Sequence, residues 1–352
     1  MAVRTSPAIR VHVLALPECA PIVPIGTVDL LRKSIELAAT LPPPRSRPRP
    51  RIDVTLVSGA RERGLTAAGG VELRCDTTLS AAKDCDVCVV PALDPDVAER
   101  LRKNEAVVRF LRRTYTRGSV VMSACTGSFL LAEAGLLDGR TATTHWAFQA
   151  LFAERYPKVR LAPQAILVDQ GRIVTSGGAT SFINLVLFLV ERFLGQDVAW
   201  AASKMFLIDP NKSPQGAYAA FSTQKDHEDK PILRAQEIIE REAGQLLAVD
   251  ELARRVALSR RTFVRRFQAA TGNSPRGYIQ RVRIEAAKRA LERGASIGEV
   301  ATAVGYDDAV AFRKLFVRLA GLTPAEYRAR YGPRAAPAWE LTRARRSISS
   351  RK

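Results

Sequence analysis

Residues 250–279 read DELARRVALSRRTFVRRFQAATGNSPRGYI, and residues 298–328 read GEVATAVGYDDAVAFRKLFVRLAGLTPAEYR. The second stretch repeats the first at an offset of 49 residues over five positions. The matched residues are Phe263, Phe267, Gly272, Pro275 and Tyr278, which recur as Phe312, Phe316, Gly321, Pro324 and Tyr327. Matches at one fixed offset do not arise from composition, so the chain contains a duplicated structural unit.

Each copy predicts two short helices joined by a turn. In the first copy Asp250 is suited to cap one helix and Ser259 to cap the next. Glu251 recurs as Glu299, 48 rather than 49 residues later, so the second copy has one extra residue in its turn. The pattern is therefore that of a helix-turn-helix unit that occurs twice.

The second helix of each copy turns a distinct face away from its phenylalanines. At 100° per residue, Arg261, Arg265 and Gln268 point away from the Phe263 and Phe267 side. Outward arginines on the second helix of such a pair are what a major-groove reader needs. In the second copy this face is less polar and suits thymine methyl groups as well as phosphates. It holds Val310, Lys314 and Val317, flanked by Ala311 and Arg318.

The segment between the copies predicts a long helix from Pro275 to about Gly294. About 19 residues at 1.5 Å each give roughly 28 Å. One turn of duplex DNA is about 34 Å. One chain can therefore place its two reading helices in successive major grooves on one side of the DNA.

Residues 232–331 resemble the DNA-binding domain of the AraC/XylS family of transcription regulators. The resemblance rests on two unequal helix-turn-helix units, on Gly-x-Ser/Thr-Pro after each reading helix, and on Tyr three residues further on. It implies double-stranded DNA as a partner, and it also implies a homodimer and gene activation through RNA polymerase. The alternative is a helical bundle whose arginines only face solvent.

The candidate DNA-binding residues lie on the two reading helices and at the start of the helix between them. Arg261 and Arg265 are the expected base readers, whereas Arg260, Arg266 and Arg276 are expected to contact the phosphate backbone. The full set is Arg260, Arg261, Thr262, Val264, Arg265, Arg266, Gln268, Arg276, Val310, Ala311, Arg313, Lys314 and Arg318.

The charge distribution favours a polyanionic partner for the same part of the chain. The 352 residues include 54 Lys and Arg against 35 Asp and Glu, a net charge of +19. From residue 232 onward there are 25 basic and 12 acidic residues, which leaves 29 and 23 for the first 231. An excess of +13 against +6 is the electrostatic footprint expected of a DNA-binding part.

Composition narrows the class of protein. At 47% hydrophobic and 25% charged residues the chain is expected to be globular, and no apolar run reaches the roughly 18 residues of a membrane span. Five scattered cysteines fit reduced thiols in the cytoplasm. Cys85 and Cys88 form a C-x-x-C within a strand-like run, where residues three apart face opposite ways, so we expect no metal or redox role. No cofactor is expected either.

The first 200 residues predict strands that alternate with helices. The buried runs Val11–Leu16, Ile52–Val57, Val87–Val90 and Val120–Ala124 are separated by helical patterns such as 26–39. Repeated units of this kind predict a flavodoxin-like, doubly wound α/β sheet that is mostly parallel and covered by helices on both faces.

One turn in this part is typical of an enzyme. In VVMSACTGSFLLAEAGLLDGRTATTHW, residues 120–146, a strand runs into Cys125 and a helix begins at once at Thr126. A thiol near a helix N-terminus is expected to favour the thiolate. The stretch resembles the nucleophile elbow of the DJ-1/PfpI superfamily, with His145 at the family's second position. The whole chain up to Tyr331 is similar to the GlxA-type transcription regulators, which join such a domain to an AraC-type reader.

The resemblance argues against catalysis by Cys125. Enzymes of the superfamily place an acidic residue against the cysteine, but Val23 stands there in this chain and Glu18 falls five positions early. We therefore expect a ligand pocket, formed by Cys125, Thr126, His145 and Trp146, rather than an enzyme. A carboxylate-bearing metabolite such as an amino acid, a betaine or a related nitrogenous compound is the expected effector, with Trp146 or Trp200 as an aromatic wall. The alternative is a cysteine-dependent amidohydrolase or deglycase that uses Cys125 with His145.

The expected domain organisation follows. Residues 1–205 form the sensing domain, 206–231 a connecting segment, 232–331 the double helix-turn-helix domain and 332–352 a basic tail.

Overall fold

The computed structural model describes residues 8–42, 48–93, 96–209, 214–219, 221 and 223–333. The predicted basic tail lies outside these residues except for its first two positions. The chain divides into two compact units, 1–215 and 216–352. None of the helices in the described part is long and apolar enough to cross a bilayer.

The first unit is built on a seven-stranded sheet within its described residues. The strands of this unit are β1 Ile9–Ala15, β2 Ile52–Ser58, β3 Gly64–Ala67, β4 Val71–Arg74, β5 Thr77–Thr78, β6 Val87–Val90, β7 Val120–Ala124, β8 Thr141–Ala142, β9 Arg160–Leu161, β10 Leu167–Asp169 and β11 Ile173–Ser176. The sheet order is β10-β11-β7-β6-β1-β2-β5, parallel except where β10 pairs with β11. The pairs β3–β4 and β8–β9 stand apart.

Helices cover both faces of this sheet. They are α1 Ile22–Thr40, α2 Val97–Lys103, α3 Glu105–Thr116, α4 Ser128–Glu133, α5 Gln149–Arg155, α6 Phe182–Leu194 and α7 Gln196–Met205. The apolar side chains of α1, α6 and α7 share one core with Val87 and Val89 of β6, whereas those of α3 and α4 share the other core with Cys88 and Val90. Alternate residues of a buried strand thus serve opposite faces.

The second unit is helical throughout its described elements. Its helices are α8 Lys230–Arg241, α9 Val249–Arg255, α10 Arg260–Thr271, α11 Pro275–Glu292, α12 Ile297–Ala303, α13 Ala309–Ala320 and α14 Pro324–Tyr331. One core holds the apolar faces of α8, α9 and α10, and a second holds those of α12, α13 and α14. α11 contributes Tyr278 to the first core and Leu291 to the second.

The two copies differ at their turns. Ala257 has a φ of 56°, in the left-handed region, and Gly305 has a φ of 79° at the corresponding place. The next helix is capped by Ser259 in the first copy and by Asp308 in the second, so the extra residue follows Gly305. Asp250 is not a cap, because α9 begins one residue earlier with Ala248 at the N-cap.

Two buried cations of α11 hold the second unit together. The Arg283 guanidinium donates to the carbonyl oxygens of Ala243 at 2.8 Å, Gln245 at 2.6 Å and Gly305 at 3.3 Å. The Lys288 ammonium group donates to the carbonyl oxygens of Gly216 and Ala219 and to the Glu285 carboxylate. Such charge-assisted hydrogen bonds satisfy backbone carbonyl groups that accept no hydrogen bond within a helix.

Candidate nucleic-acid interface and candidate ligand site

The first reading helix, α10, has one buried face and one exposed face. Ser259 caps it by accepting from the Thr262 N–H, and Phe263 and Phe267 are fully buried with ring centroids 5.4 Å apart. Four of its predicted DNA-binding residues are exposed, whereas Thr262, Val264 and Arg266 are partly covered. The exposed ones are Arg260, Arg261, Arg265 and Gln268. The burial of the phenylalanines therefore leaves a polar, mainly cationic surface.

Some of these side chains already have partners inside the unit. Arg266 makes two hydrogen bonds to the Asp229 carboxylate at 2.7 and 2.8 Å, and these bonds hold the pKa of Asp229 below its usual value. Arg260 pairs with Asp250 at 2.9 Å, and the Gln268 amide donates to the carbonyl oxygen of Gly272. These groups have fewer donors left for a phosphate than the sequence pattern suggested.

Other predicted DNA-contacting cations have side chains that form no hydrogen bond or ion pair with any residue of the described ranges. They include Arg261, Arg265, Arg276 and Lys314. Each is exposed. Unpaired cations on a folded surface keep their full attraction for an external anion, because no carboxylate neutralises them.

The second reading helix, α13, exposes apolar as well as basic side chains. Val310 is 59% exposed and Val317 39%, while Phe312 and Phe316 are buried beneath them. Ala311, Arg313, Lys314 and Arg318 are also exposed. Exposed β-branched side chains beside lysine and arginine suit a groove that presents thymine methyl groups between phosphates.

A cavity of about 320 Å³ lies between α11 and α13. Its lining residues are Arg276, Gln280, Tyr306, Ala311, Lys314, Leu315 and Arg318. Arg318 donates to the side chain of Gln280 at 2.9 Å. The sequence did not indicate that Arg276, near the first copy, shares this cavity with Lys314 of the second copy, and it gave no sign of Gln280.

The first unit carries the predicted elbow at the carboxyl end of β7. Cys125 has a φ of 56°, and a Cβ on Gly127 would lie 2.4 Å from the carbonyl oxygen of Pro91, so only glycine fits there. Cys125 is 5% exposed, and its backbone carbonyl accepts from the Thr144 hydroxyl at 3.4 Å. The elbow therefore sits under the loop that carries Thr143 to Trp146.

The thiol of Cys125 is not activated. Burial raises its pKa, and the N–H groups of Thr126 and Gly178 offset this only in part. The expectation that a helix dipole favours the thiolate is wrong here, because a 3-10 turn intervenes and α4 is only six residues long.

His145 is not arranged as a general base for Cys125. Its Nδ1 accepts from the Ala147 N–H at 3.1 Å, and its ring packs against Trp146 and Phe148. Burial lowers its pKa. Within the described residues no hydrogen bond joins it to Cys125.

Among the described residues, no carboxylate acts on the Cys125 thiol as the acidic partner does in the superfamily enzymes. Val23 is fully buried in the same core as Cys125. Glu18 instead forms an ion pair with Arg100. An apolar side chain at this position neither orients nor ionises a thiol.

Gln215 ties the end of the first unit to the elbow loop, and sequence reasoning missed it. Its amide donates to the Thr143 hydroxyl at 2.9 Å and to the carbonyl oxygens of Thr144 and Ala165, and it accepts from the Trp146 N–H at 3.1 Å. It is 3% exposed. The next residue, Gly216, is held by Lys288 within the second unit.

Trp200, the other aromatic residue considered for the pocket, lies elsewhere in the first unit. It is 58% exposed and lines an open depression of about 730 Å³ with Ser203, Lys204, Leu207, Ile208 and Asp209. None of the elbow residues lines this depression. Among the described side chains, no three His, Cys, Asp or Glu groups are placed to hold a metal ion.

Known families match both parts of the chain. The helix-turn-helix domain family matches residues 252–330, and the DJ-1/PfpI family matches residues 33–192. The HTH-type transcriptional regulator CdhR of Pseudomonas aeruginosa is 30% identical over 268 residues, which cover 75% of this chain and 78% of that protein.

Two further proteins are similar to this chain over about half of its length. The isonitrile hydratase of Pseudomonas putida is 31% identical over 192 residues, 52% of this chain and 80% of that enzyme. A crystal structure from Vibrio parahaemolyticus, described as a transcriptional regulator protein, superimposes with a TM-score of 0.50 at 22% identity, over 56% of this chain and 99% of that one. The predicted fold class, a flavodoxin-like sheet followed by helix-turn-helix units, is confirmed.

Proposed function

Since this chain belongs to the GlxA-type transcription regulators, in which a DJ-1/PfpI domain precedes an AraC-type helix-turn-helix domain, it is a DNA-binding regulator, and we propose how its two parts divide the work. The double helix-turn-helix domain, about residues 232–331, places α10 and α13 in successive major grooves. The domain formed by about residues 1–205 binds a small metabolite without turning it over.

The observation that carries the DNA proposal is the set of unpaired cations on the exposed face of α10. Arg261 and Arg265 stand opposite the buried Phe263 and Phe267 and have no internal partner among the described residues. An arginine fork of this kind matches the O6 and N7 acceptors of guanine. We therefore assign base reading to these two and phosphate contact to Arg276 and Lys314.

We expect Arg265→Ala to weaken binding to the operator by about 1–3 kcal/mol, since one bidentate base contact is lost. This corresponds to about a 5- to 150-fold rise in Kd. We expect this loss of affinity only on DNA sequences that contain the base read by Arg265. On operators in which that base is changed, the variant and the wild type should bind alike. Titration of the full chain against operator variants, at one fixed salt concentration, measures it.

Arg109→Ala is the matched control, because it removes one exposed cation from α3 in the first unit. The control should leave the affinity nearly unchanged. An equal loss for Arg265→Ala on every DNA sequence would instead make Arg265 a phosphate contact, and an unchanged Kd would remove it from the interface.

The proposed ligand site is the elbow with the loop above it. The N–H groups of Thr126 and Gly178 converge on Cys125, and Trp146 supplies an aromatic wall. A ligand with a carboxylate and a cationic amine, such as an amino acid or a betaine, fits this combination. Gln215 bonds the same loop, so a ligand that moves the loop acts on the residue from which the chain continues to the second unit.

A thermal-shift screen of the full chain against amino acids and betaines tests the site. A ligand at 100 times its Kd stabilises the unit that binds it by about 2.7 kcal/mol. We expect this shift to disappear in Trp146→Ala and to remain in Trp200→Ala. The reverse pattern would move the ligand to the depression beside Trp200.

Cys125→Ala separates the regulator from a cysteine-dependent amidohydrolase or deglycase. We expect the variant to bind operator DNA as the wild type does, because the thiol is buried, its pKa is raised, and no carboxylate of the described residues acts on it. A thiol-dependent turnover of an amide, a glycated amine or an isonitrile by the wild type, abolished by the substitution, would establish the enzyme instead.

Family membership supports the proposed homodimer and the proposed contact with RNA polymerase. A homodimer would bring two double readers to one operator, and contact with RNA polymerase would make the protein an activator. The five cysteines, all free in the structure, agree with a reducing compartment such as the cytoplasm.

A further inference from the structure

The two thiols of the C-x-x-C sequence lie on the same side of the sheet. In β6, Cys88 and Val90 face one core and Val87 and Val89 the other. An extended chain would put Cys85 with Val87, and the sequence led us to expect opposite faces. That expectation is wrong, because Cys85 belongs to the same core as Cys88 and the two thiols are close enough to influence each other's pKa.

A bend at Asp86 brings the thiols together. The strand begins only at Val87, and Asp86 makes two hydrogen bonds to Arg10 of β1. Its carboxylate accepts from the Arg10 N–H at 2.7 Å, and its own N–H donates to the Arg10 carbonyl oxygen at 2.9 Å. The Cys85 carbonyl oxygen accepts from the Ser119 hydroxyl at 2.6 Å. The approach of the thiols is therefore fixed by the sheet.

An imidazole completes the cluster. His12 is the register partner of Cys88 across β1 and β6 and is only 5% exposed. Its ring lies close enough to Cys85 to lower the pKa of that thiol, and its Nδ1 is buried with no hydrogen-bond partner among the described residues. A buried ring nitrogen without a hydrogen-bond partner is uncommon in a folded protein.

The cluster distinguishes its two thiols. The neighbouring Cys88 thiol, with further support from His12, holds the pKa of Cys85 well below that of an ordinary thiol. The nearby Cys85 and complete burial raise the pKa of Cys88. Cys85 is therefore suited to react first, as a thiolate nucleophile, and Cys88 is suited to react second, as the thiol that forms the disulfide with it.

We propose that Cys85 and Cys88 form a dithiol–disulfide redox site that reacts with a small hydroperoxide. The site lies at the amino end of the parallel strands, whereas Cys125 lies at the carboxyl end, so it is separate from the elbow.

The chemistry balances in two steps. The Cys85 thiolate attacks one peroxide oxygen, the O–O bond breaks, and the departing hydroxide takes a proton to leave as water, giving a sulfenic acid. Cys88 then attacks the Cys85 sulfur, the S–O bond breaks, and the hydroxyl leaves as water with the Cys88 proton. Two thiols and one hydroperoxide give one disulfide and two molecules of water, or of water and alcohol. His12 is placed to carry the proton in both steps.

The remaining thiols serve as internal controls. Burial raises the pKa of Cys19 to about 11, and it also raises those of Cys75 and Cys125. Thiols that stay protonated react slowly with peroxide. Oxidation is therefore expected to begin at Cys85.

The test uses the full-length chain and hydrogen peroxide. After exposure to about equimolar peroxide, the protein is unfolded, alkylated and digested with trypsin, which places both thiols in the peptide of residues 84–100. We expect this peptide to lose two hydrogens and both alkylation sites, and dithiothreitol to restore them. Cys19 and Cys75 should remain alkylated.

Variants identify the order of events. Cys88→Ser should stop at the sulfenic acid, which dimedone traps at Cys85, whereas Cys85→Ser should leave Cys88 reduced. His12→Gln should slow disulfide formation at least about tenfold, while circular dichroism checks its fold. The proposal is overturned if wild-type Cys85 and Cys88 stay alkylated while Cys19, Cys75 or Cys125 oxidises first, or if Cys75→Ser abolishes the disulfide as Cys85→Ser does.

Discussion

Replacing Phe267 with alanine is expected to lower the free energy of unfolding of the second unit by about 3–5 kcal/mol. The Phe267 ring is fully buried, 5.4 Å from the Phe263 centroid and 5.3 Å from that of Tyr278. The Tyr278 hydroxyl is fixed by Glu240 at 3.0 Å and by Gln236 at 3.1 Å. Tyr278 is therefore held in place and does not fill the space left by the ring.

Peptide-resolved hydrogen exchange of the full chain measures this loss, because it reports the second unit separately from the first. Val317→Ala is a suitable control: its side chain is 39% exposed, and a surface substitution of this kind changes stability by about 0.5 kcal/mol or less. Unchanged protection of α8 to α11 in Phe267→Ala would show that the phenylalanine stripe is not the core of the reader.

Replacing Arg283 with methionine is the second change with a large expected effect. Methionine keeps an unbranched apolar stem but removes the guanidinium, so three carbonyl oxygens lose a charged donor. Leaving buried acceptors without partners costs about 1–3 kcal/mol each, and we expect a total of about 3 kcal/mol because water replaces part of the loss. Ala243 and Gln245 follow α8, whereas Gly305 is the turn of the second copy, so the two halves of the unit loosen together.

Arg289→Met on the same helix is the matched control, since Arg289 is exposed. Exchange should quicken at α8 and at the turn around Gly305 in Arg283→Met only. If both variants behave alike, Arg283 does not join the two halves. A Cβ on Gly305 would lie 2.7 Å from the carbonyl oxygen of Gly244, so the contact also explains the glycine.

Most of the fold could be predicted from periodic features of the sequence. The 49-residue repeat located both readers, and the i, i+4 phenylalanines determined which face each reader exposes. Buried strands such as Val87–Val90 predicted the sheet. The short β3–β4 hairpin escaped notice because four-residue strands with little apolar pattern carry no period, and α1 begins at Ile22 rather than at Gly26.

Contacts between residues far apart in the chain could not be predicted from the sequence. Nothing local shows that Arg266 is paired with Asp229, 37 positions earlier, or that Gln215 reaches Thr143. The pKa of Cys125 depends on two opposing effects: burial raises it, and the nearby backbone N–H groups lower it. Which effect is larger depends on the packing of the site, which the sequence does not show. The side of the sheet to which Cys85 points depends on the bend at Asp86. The sequence prediction assumed a regular extended strand and therefore placed Cys85 on the opposite side.

The most direct measurement for the double reader is a hydroxyl-radical footprint of the full chain on an operator selected from random DNA. We expect two protected regions on one face of the duplex with centres about 10–10.5 base pairs apart. Arg265→Ala should weaken one region and Lys314→Ala the other. A single protected region, or two regions on opposite faces that respond equally to both variants, would contradict the placement of α10 and α13 in successive major grooves.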